Sequence, residues 1–253
     1  MSVAPEEISP AERTVGQLIA DTIRLYGRAF WRGILIALPA TAFTVGAAFV
    51  DGTVSLVYGI VVGPLALALS FLWASVVATG GRNAPGRALI AGAIAFLPLA
   101  ASRVVVFPGI YFATLAWFAL LALAVPAVLV EDLRLVSALR RGFELARADF
   151  LHAFGTIAAL AIVVVVSIFS LSLLLAGFGS QSIAVSAVLA VVVMSPLFFL
   201  GSGLLYLDQR ARLESGAPRR RRRDARLHHA VEPDRAGRAD AEVEPGPAAR
   251  GES

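Results

Sequence analysis

Four long stretches of this chain contain no charged residue, namely 33–50, 52–81, 104–130 and 150–207. At roughly 1.5 Å of rise per helical residue, each is long enough to be compared with the hydrocarbon core of a bilayer, about 30 Å thick. Charged residues make up 16% of the chain, against about a quarter in a soluble domain. The chain is therefore expected to be an integral membrane protein.

Backbone polar groups inside lipid must be hydrogen-bonded within the protein, which restricts spanning segments to helices or closed barrels. The charge-free stretches are continuous and lack the alternation of barrel strands. The sequence therefore predicts an all-α fold, a polytopic membrane protein with six transmembrane helices and two amphipathic helices on the cytoplasmic face.

The chain divides into three parts. Residues 1–13 are predicted to be a disordered leader, 14–207 a six-span membrane domain, and 208–253 a disordered basic cytoplasmic tail with too few apolar residues to fold. The predicted spans are about 31–50, 54–79, 88–106, 110–130, 153–176 and 184–206, and the two interfacial helices are 14–30 and 132–150.

Both interfacial helices are predicted from apolar residues that recur every three or four positions, with charged residues on the other face. Thr14 is the expected N-cap of the first helix. In the second helix the predicted apolar stripe is Val136, Leu139, Phe143, Ala146 and Phe150. Arg140, Glu144 and Arg147 share the opposite face at spacings that allow ion pairs.

Arginine placement predicts the orientation. With the N-terminus inside, every connection rich in arginine lies on the cytoplasmic side, as the positive-inside rule requires, and Arg103 alone faces outward. The expected location is the bacterial cytoplasmic (inner) membrane, with both termini in the cytoplasm.

Several short motifs resemble a known family. They are Pro108-Gly109-Ile110-Tyr111 before a span, Glu131 at its end, Ala138-Leu139-Arg140-Arg141, Glu144-Leu145, the segment 25–32 and the segment 205–210. This pattern resembles the membrane domain of the glycerophosphoryl diester phosphodiesterase family and related stand-alone bacterial membrane proteins. The resemblance covers about 14–215 and implies fold and location. It implies no catalytic residue, because nothing in the chain matches the phosphodiesterase domain.

The sequence departs from that family pattern at two positions. Asp132 stands where glycine is usual, and Gly142 where serine is common.

An offset of 120 residues aligns the segment 14–31 with 134–151. Both segments would lie inside and lead into an outward span, so a repeat would be parallel, about an axis along the membrane normal. Two similar amphipathic helices could also match by chance, and the sequence leaves duplication open.

Nine arginines are candidate contacts for anions or lipid headgroups: Arg103, Arg140, Arg141, Arg147, Arg219, Arg220, Arg221, Arg222 and Arg223. Arg103 lies inside a predicted span, where it could bind a phosphate or extend to the nearby headgroups. The basic run 219–223 follows a span closely, which favours anionic lipid at the cytoplasmic face. Nucleic acid is not expected as a partner, because the tail has no aromatic residue to stack on bases.

No catalytic, cofactor-binding or metal-binding residues are predicted. The predicted spans lack Asp, Glu and Lys, His152 lies at the cytoplasmic edge of a span, and Ser167, Ser170 and Ser172 have no base to activate them. An enzyme is therefore not expected.

Two functions remain. The first is a non-enzymatic scaffold or accessory subunit that organises a partner complex or lipids, with 132–150 as a possible docking site for a protein. The same segment could instead be a simple interfacial connector. The second is a permease-like subunit for a lipid or other amphipathic cargo, in which the prolines inside the spans would act as hinges.

Overall fold

The computed structural model describes residues 10–102, 109–175 and 182–231. A short 3₁₀ turn, Pro10–Glu12, precedes nine α-helices in this part of the chain: α1 Val15–Arg28, α2 Phe30–Ala47, α3 Gly52–Thr79, α4 Pro85–Ala101, α5 Gly109–Leu121, α6 Ala124–Glu131, α7 Leu135–Ala148, α8 Phe150–Leu175 and α9 Ser182–Val231. The described residues form no strand, and the predicted all-α class is confirmed.

Five helical stretches among the described residues are long and apolar enough to cross a membrane: Phe30–Ala47, Gly52–Thr79, Gly109–Glu131, Phe150–Leu175 and Val188–Ser215. This agrees with the prediction of a membrane protein. The remaining apolar helix, α4, has 17 residues, a length of about 26 Å. It covers most of the third predicted span, 88–106, whose last four residues lie outside the described part.

The predicted span 110–130 consists of two helices, α5 and α6, separated by Ala122 and Leu123. Pro126 explains the break, because proline has no amide hydrogen to donate to the carbonyl four residues earlier and its ring crowds that carbonyl. The Ala122 carbonyl instead accepts from the Val125 amide at 3.2 Å, in a tighter turn.

Other prolines leave backbone groups that neighbouring helices use. Pro98 frees the carbonyl of Ile94, which accepts a hydrogen bond from the Trp117 indole at 3.2 Å. Next to Pro39, the Ala40 amide donates to the Ser70 hydroxyl oxygen on α3 at 3.2 Å. These bonds satisfy polar backbone where lipid offers no partner and join α4 to α5 and α2 to α3.

Aromatic rings form the centre of the packed helices. Phe71 of α3 lies 6.2 Å from Phe96, 5.8 Å from Phe118 and 6.1 Å from Phe199 between ring centroids. All four side chains are at most 5% exposed. Helices α3, α4, α5 and α9 therefore share one core.

The first compact unit ends at Arg212, and a second begins at Leu213. The tail was predicted to begin at 208, but that position lies inside α9, which is described as helical through Val231. Asp208 and Gln209 are fully buried. Asp208 Oδ1 accepts from Arg13 and the Gln209 side chain donates to the Asp149 carbonyl, whereas Asp208 Oδ2 and Gln209 Oε1 have no hydrogen-bond partner among the described residues. The connection between the predicted spans 153–176 and 184–206 lies mostly outside the described residues, since α8 ends at Leu175 and α9 begins at Ser182.

The predicted N-cap of α1, Thr14, is confirmed. The Thr14 hydroxyl accepts from the Gln17 amide at 3.3 Å, and the Gln17 side chain accepts from the Thr14 amide at 2.8 Å. This reciprocal capping box satisfies two amide groups that the first turn of a helix leaves unpaired.

Helices α6 and α7 approach each other very closely at Gly142. A Cβ added there would lie 2.7 Å from the backbone nitrogen and 3.1 Å from the Cα of Ala124. Small residues of this kind allow helix backbones to meet in membrane proteins.

Replacing Gly142 with alanine should therefore destabilise the fold, because the added methyl meets backbone that cannot turn aside. We expect a loss of about 1–3 kcal/mol, the usual cost of overpacking, seen as earlier thermal loss of the helical circular dichroism signal in detergent. Gly155→Ala is the matched control, since nothing lies within 4 Å of its added Cβ. Equal melting temperatures for the two variants would contradict the close contact.

Candidate functional site

Buried polar residues of the first compact unit lie along one stretch of α9. Tyr206, Asp208 and Gln209 have no exposed surface, although they lie where the last charge-free run ends. Burying such groups is costly unless they find partners. Their partners come from the segment before α1, from α6 and from the start of α8, so this stretch is a junction between distant parts of the chain.

Asp208 is the buried charge of this junction. Its Oδ1 accepts from the Arg13 guanidinium at 3.3 Å, and its Oδ2 lies 3.8 Å from His152 Nε2. The Arg13 side chain is 23% exposed and also pairs with Asp21 of α1 at 3.4 Å. Arg13 thus connects α1 to α9, while His152 brings the start of α8 to the same carboxylate.

Asp149, between α7 and α8, holds the second part of the junction. Its Oδ1 accepts from the His152 amide at 3.2 Å, which caps the start of α8. Its Oδ2 accepts from Arg212 at 2.6 Å, and its carbonyl accepts from the Gln209 side chain at 3.3 Å. Arg212 also donates to the Arg13 carbonyl at 2.5 Å, so the two parts form one network.

A second polar group surrounds Glu131 at the end of α6. The Tyr206 hydroxyl donates to Glu131 Oε1 at 2.7 Å, and Arg141 Nε lies 3.2 Å from Oε2. Glu131 therefore connects α6 to both α7 and α9.

Arg87 of α4 contacts the residues that connect α6 to α7. Asp132 adopts a left-handed conformation with φ of 50° and pairs with Arg87 at 2.6 Å. Arg87 also donates to the Leu133 carbonyl at 2.9 Å.

These contacts suit a structural clamp. The charges neutralise one another, and the acidic groups serve as acceptors for arginine and helix amides. Across the described ranges, no group of three or more His, Cys, Asp or Glu side chains could hold a metal ion. Tyr26 stands apart from the network, and burial raises the pKa of its phenol above the usual value.

Helix α7 has two different faces. The buried face consists of Ala138, Gly142, Leu145 and Ala146. Val136 and Phe143 of the predicted apolar stripe are exposed. The prediction that Arg140, Glu144 and Arg147 lie on the opposite face is wrong, because they are exposed on the same side of α7 as these two residues. The physical reason is size, because the close approach to α6 requires small residues rather than the largest apolar ones.

The arginines that were predicted to contact lipid have different surroundings in the structure. Arg140 is exposed and pairs with Glu144, whereas Arg141 turns inward to Glu131. Arg147 is exposed, with its guanidinium 5.4 Å from the Phe143 ring. Arg103 lies outside the described residues, and the backbone of 219–223 lies in α9.

Sequence reasoning missed the junction on α9. Asp208 was assigned to the tail because it follows the apolar run, and a charge there usually marks the end of a span. A signal was present in the polar sequence Asp208-Gln209-Arg210, which directly follows the apolar residues 204–207 with no glycine or proline between them.

An open cleft lies between α8 and α9, away from the charged network. Its volume is about 400 Å³, and it is lined by Ser167, Ser170, Leu171, Leu174, Leu189, Ala190, Val193 and Met194. Ser172 and Ser186 form a hydrogen bond of 3.1 Å between the same helices.

No family model, no curated protein and no solved structure matches this chain. The resemblance described from the sequence therefore stays a prediction.

The pairing of Arg13 with Asp208 should be worth a large part of the stability of the fold. Arg13→Gln leaves the fully buried Asp208 carboxylate without its guanidinium, and we expect a loss of about 3–5 kcal/mol. Asp208→Asn should destabilise less, because Arg13 keeps Asp21 as a partner, and the double variant should lose less than the sum of both. Denaturant unfolding in mixed micelles measures all three.

The matched control is Glu144→Gln, which breaks the exposed pair with Arg140, where the side chains are 48% and 83% exposed. That loss should not exceed about 0.5 kcal/mol. Additive effects of Arg13→Gln and Asp208→Asn would show that the two side chains do not interact.

Proposed function

We propose that this chain is a six-span protein of the bacterial cytoplasmic membrane, with both termini in the cytoplasm, that acts as a non-enzymatic scaffold or accessory subunit. It would organise a partner complex or lipids. The interfacial helices of the proposal are α1 and α7, and α4 is the sixth span.

The contacts at one end of the helices support a crossing by α4. Arg87 near the start of α4 pairs with Asp132 just after α6. The chain thus leaves this end through α4 and returns to it through α5 and α6. A helix of about 26 Å is close to the core thickness of about 30 Å, and small mismatches are accommodated at modest cost.

The arginines support the orientation. Arg82, Arg87, Arg134, Arg140, Arg141 and Arg147 all belong to the segments at this end. An excess of arginine near the ends of spans is typical of the cytoplasmic side.

The outer face of α7 is the observation that carries the scaffold proposal. Val136 is 77% exposed, Phe143 is 39% exposed, and the charged Arg140, Glu144 and Arg147 lie among them. The inner face is fixed by the Gly142 contact and by Arg141 bound to Glu131. A rigid helix that presents aromatic, apolar and arginine side chains has the composition that binding surfaces favour.

Affinity purification from gently solubilised membranes tests this. Arg140→Glu/Arg147→Glu should abolish recovery of a stoichiometric protein partner, because it reverses two charges on the outer face and leaves Arg141 with Glu131. We expect at least a tenfold lower yield of the partner relative to the wild type.

Arg24→Glu/Arg82→Glu is the control, since both arginines are exposed and lie on other segments. It makes the same change in net charge and should keep the partner. Loss of the partner in both variants, or in neither, would count against α7 as the docking face.

The alternative is a permease-like subunit for a lipid or other amphipathic cargo. The cleft between α8 and α9 favours it, because its lining is apolar except for Ser167 and Ser170. Such a lining accommodates an acyl chain while two hydroxyls contact a polar group.

If that alternative holds, Met194→Trp should slow lipid movement across proteoliposomes at least fivefold by filling the cleft. Transfer of a fluorescent phospholipid to the outer leaflet measures this. Leu173→Trp is the control, since Leu173 is 68% exposed and lies outside the cleft. Equal rates in both variants would exclude a route through the cleft.

A further inference from the structure

The segments α1–α2 and α7–α8 have the same construction. Each consists of a 14-residue helix, one non-helical residue and a span-length helix. The non-helical residues are Ala29 and Asp149, and the bounds of α1 and the start of α2 recur in α7 and α8 after 120 positions. We call the two bends elbow 1 (Ala29–Trp31) and elbow 2 (Asp149–Leu151).

The buried residues recur at the same offset. Those of α2 are Gly33, Ile36, Ala37 and Ala40. Those of α8 are Ala153, Thr156, Ile157 and Leu160. Each member of the second set follows its counterpart by 120 positions, although the pairs include Gly with Ala and Ile with Thr. The two helices therefore bury equivalent positions, although the residue types at those positions differ.

The packing of α2 against α3 and of α8 against α9 places α2 and α8 at similar depth in the fold. Phe71 contacts Phe199, and Ser75 lies against Gly203, so these helices run side by side in one direction and one register. The Ala40 amide bonds Ser70 of α3, and Leu160 lies against Gly201 of α9. Ser70 and Gly201 lie at nearly the same height along these two parallel helices. Helices α2 and α8 therefore cross the fold at similar depth.

The outward faces of the elbows match as well. Phe30 and Trp31 are 43% and 77% exposed, and Phe150 and Leu151 are 37% and 82% exposed. Large apolar side chains thus project at the first two positions of both spanning helices. Exposed arginines stand beside them, with Arg28 and Arg32 at elbow 1 and Arg147 at elbow 2.

We infer that the two elbows are equivalent anchors of a duplicated unit and that both bind the phospholipid headgroup layer. This rests on the membrane-spanning arrangement proposed above. Aromatic and aliphatic side chains next to arginines suit the boundary, where rings and methyl groups enter the acyl region and guanidinium groups meet phosphate. The lipid-exposed faces of α2 and α8 begin at the elbows, so the lipid layer is continuous with them.

Nitroxide labels test the inference, and the chain contains no cysteine, so each label needs one substitution only. Trp31→Cys and Leu151→Cys are labelled in vesicles of phosphatidylglycerol and phosphatidylethanolamine. Oxygen and a water-soluble nickel chelate report the depth of each label by power saturation. Both labels should lie near the phosphate layer, with depths equal to within about 5 Å, one helical turn.

Two further labels calibrate the result. Phe169→Cys, at a 69% exposed position within α8, should report a deep, oxygen-accessible site, and Arg82→Cys in the exposed loop before α4 should report water. A Phe169 label that is open to the nickel chelate would contradict the spanning arrangement itself.

With Phe169 deep, three results would overturn the inference alone. The elbow labels could differ in depth by more than two turns, or either could be as accessible to nickel as the Arg82 label. Either label could also be immobilised and shielded from both reagents, which would identify a protein contact in place of lipid.

Discussion

The carboxylate of Asp208 organises the end of the fold that carries nearly all of its charge. Helices inside lipid gain little from the hydrophobic effect when they associate, so packing and polar contacts select their arrangement. Asp208 has no exposed surface and contacts Arg13 and His152, which are far apart in the sequence. Because an unpaired buried charge is so unfavourable, the segment before α1 has to meet α9 at this position. The start of α8 lies beside the same carboxylate, with His152 Nε2 3.8 Å from Oδ2. The outer face of α7 is held in place by the neighbouring Glu131 group.

Two prolines, Pro39 and Pro98, contribute polar contacts between helices in the apolar part of the fold. Backbone groups next to them form hydrogen bonds to neighbouring helices. The Trp117 indole donates to the Ile94 carbonyl, and the Ala40 amide donates to the Ser70 hydroxyl oxygen. A bond of this kind lies in a region without water, so it fixes rotation and register of the helices. Pro39 and Pro98 thus lie beside bonds that join their helices to α3 and α5.

Sequence reasoning predicted the features that depend on local pattern. Charge-free length predicted the spanning helices, and Thr14 with Gln17 confirmed a start that depends on neighbours three residues apart. It did not predict which face of α7 packs against the protein, because the short distance to the Ala124 backbone, which admits only Gly142, is not visible in the sequence. Nor did it predict the inward turn of Arg141, since its partner Glu131 belongs to another helix. Contacts of this kind depend on tertiary distances that a one-dimensional pattern does not contain.

The conformation of Asp132 and the small size of Gly142 both affect the connection from α6 to α7. Asp132 occupies a left-handed position, where glycine is free of strain and aspartate is one of the few tolerated alternatives. Its pair with Arg87 is largely exposed and contributes little stability. Position 142 lies against the Ala124 backbone, where a larger side chain would not fit. The glycine therefore permits the close contact between α6 and α7, and the opposite face of α7, with Phe143, Arg140 and Arg147, is exposed.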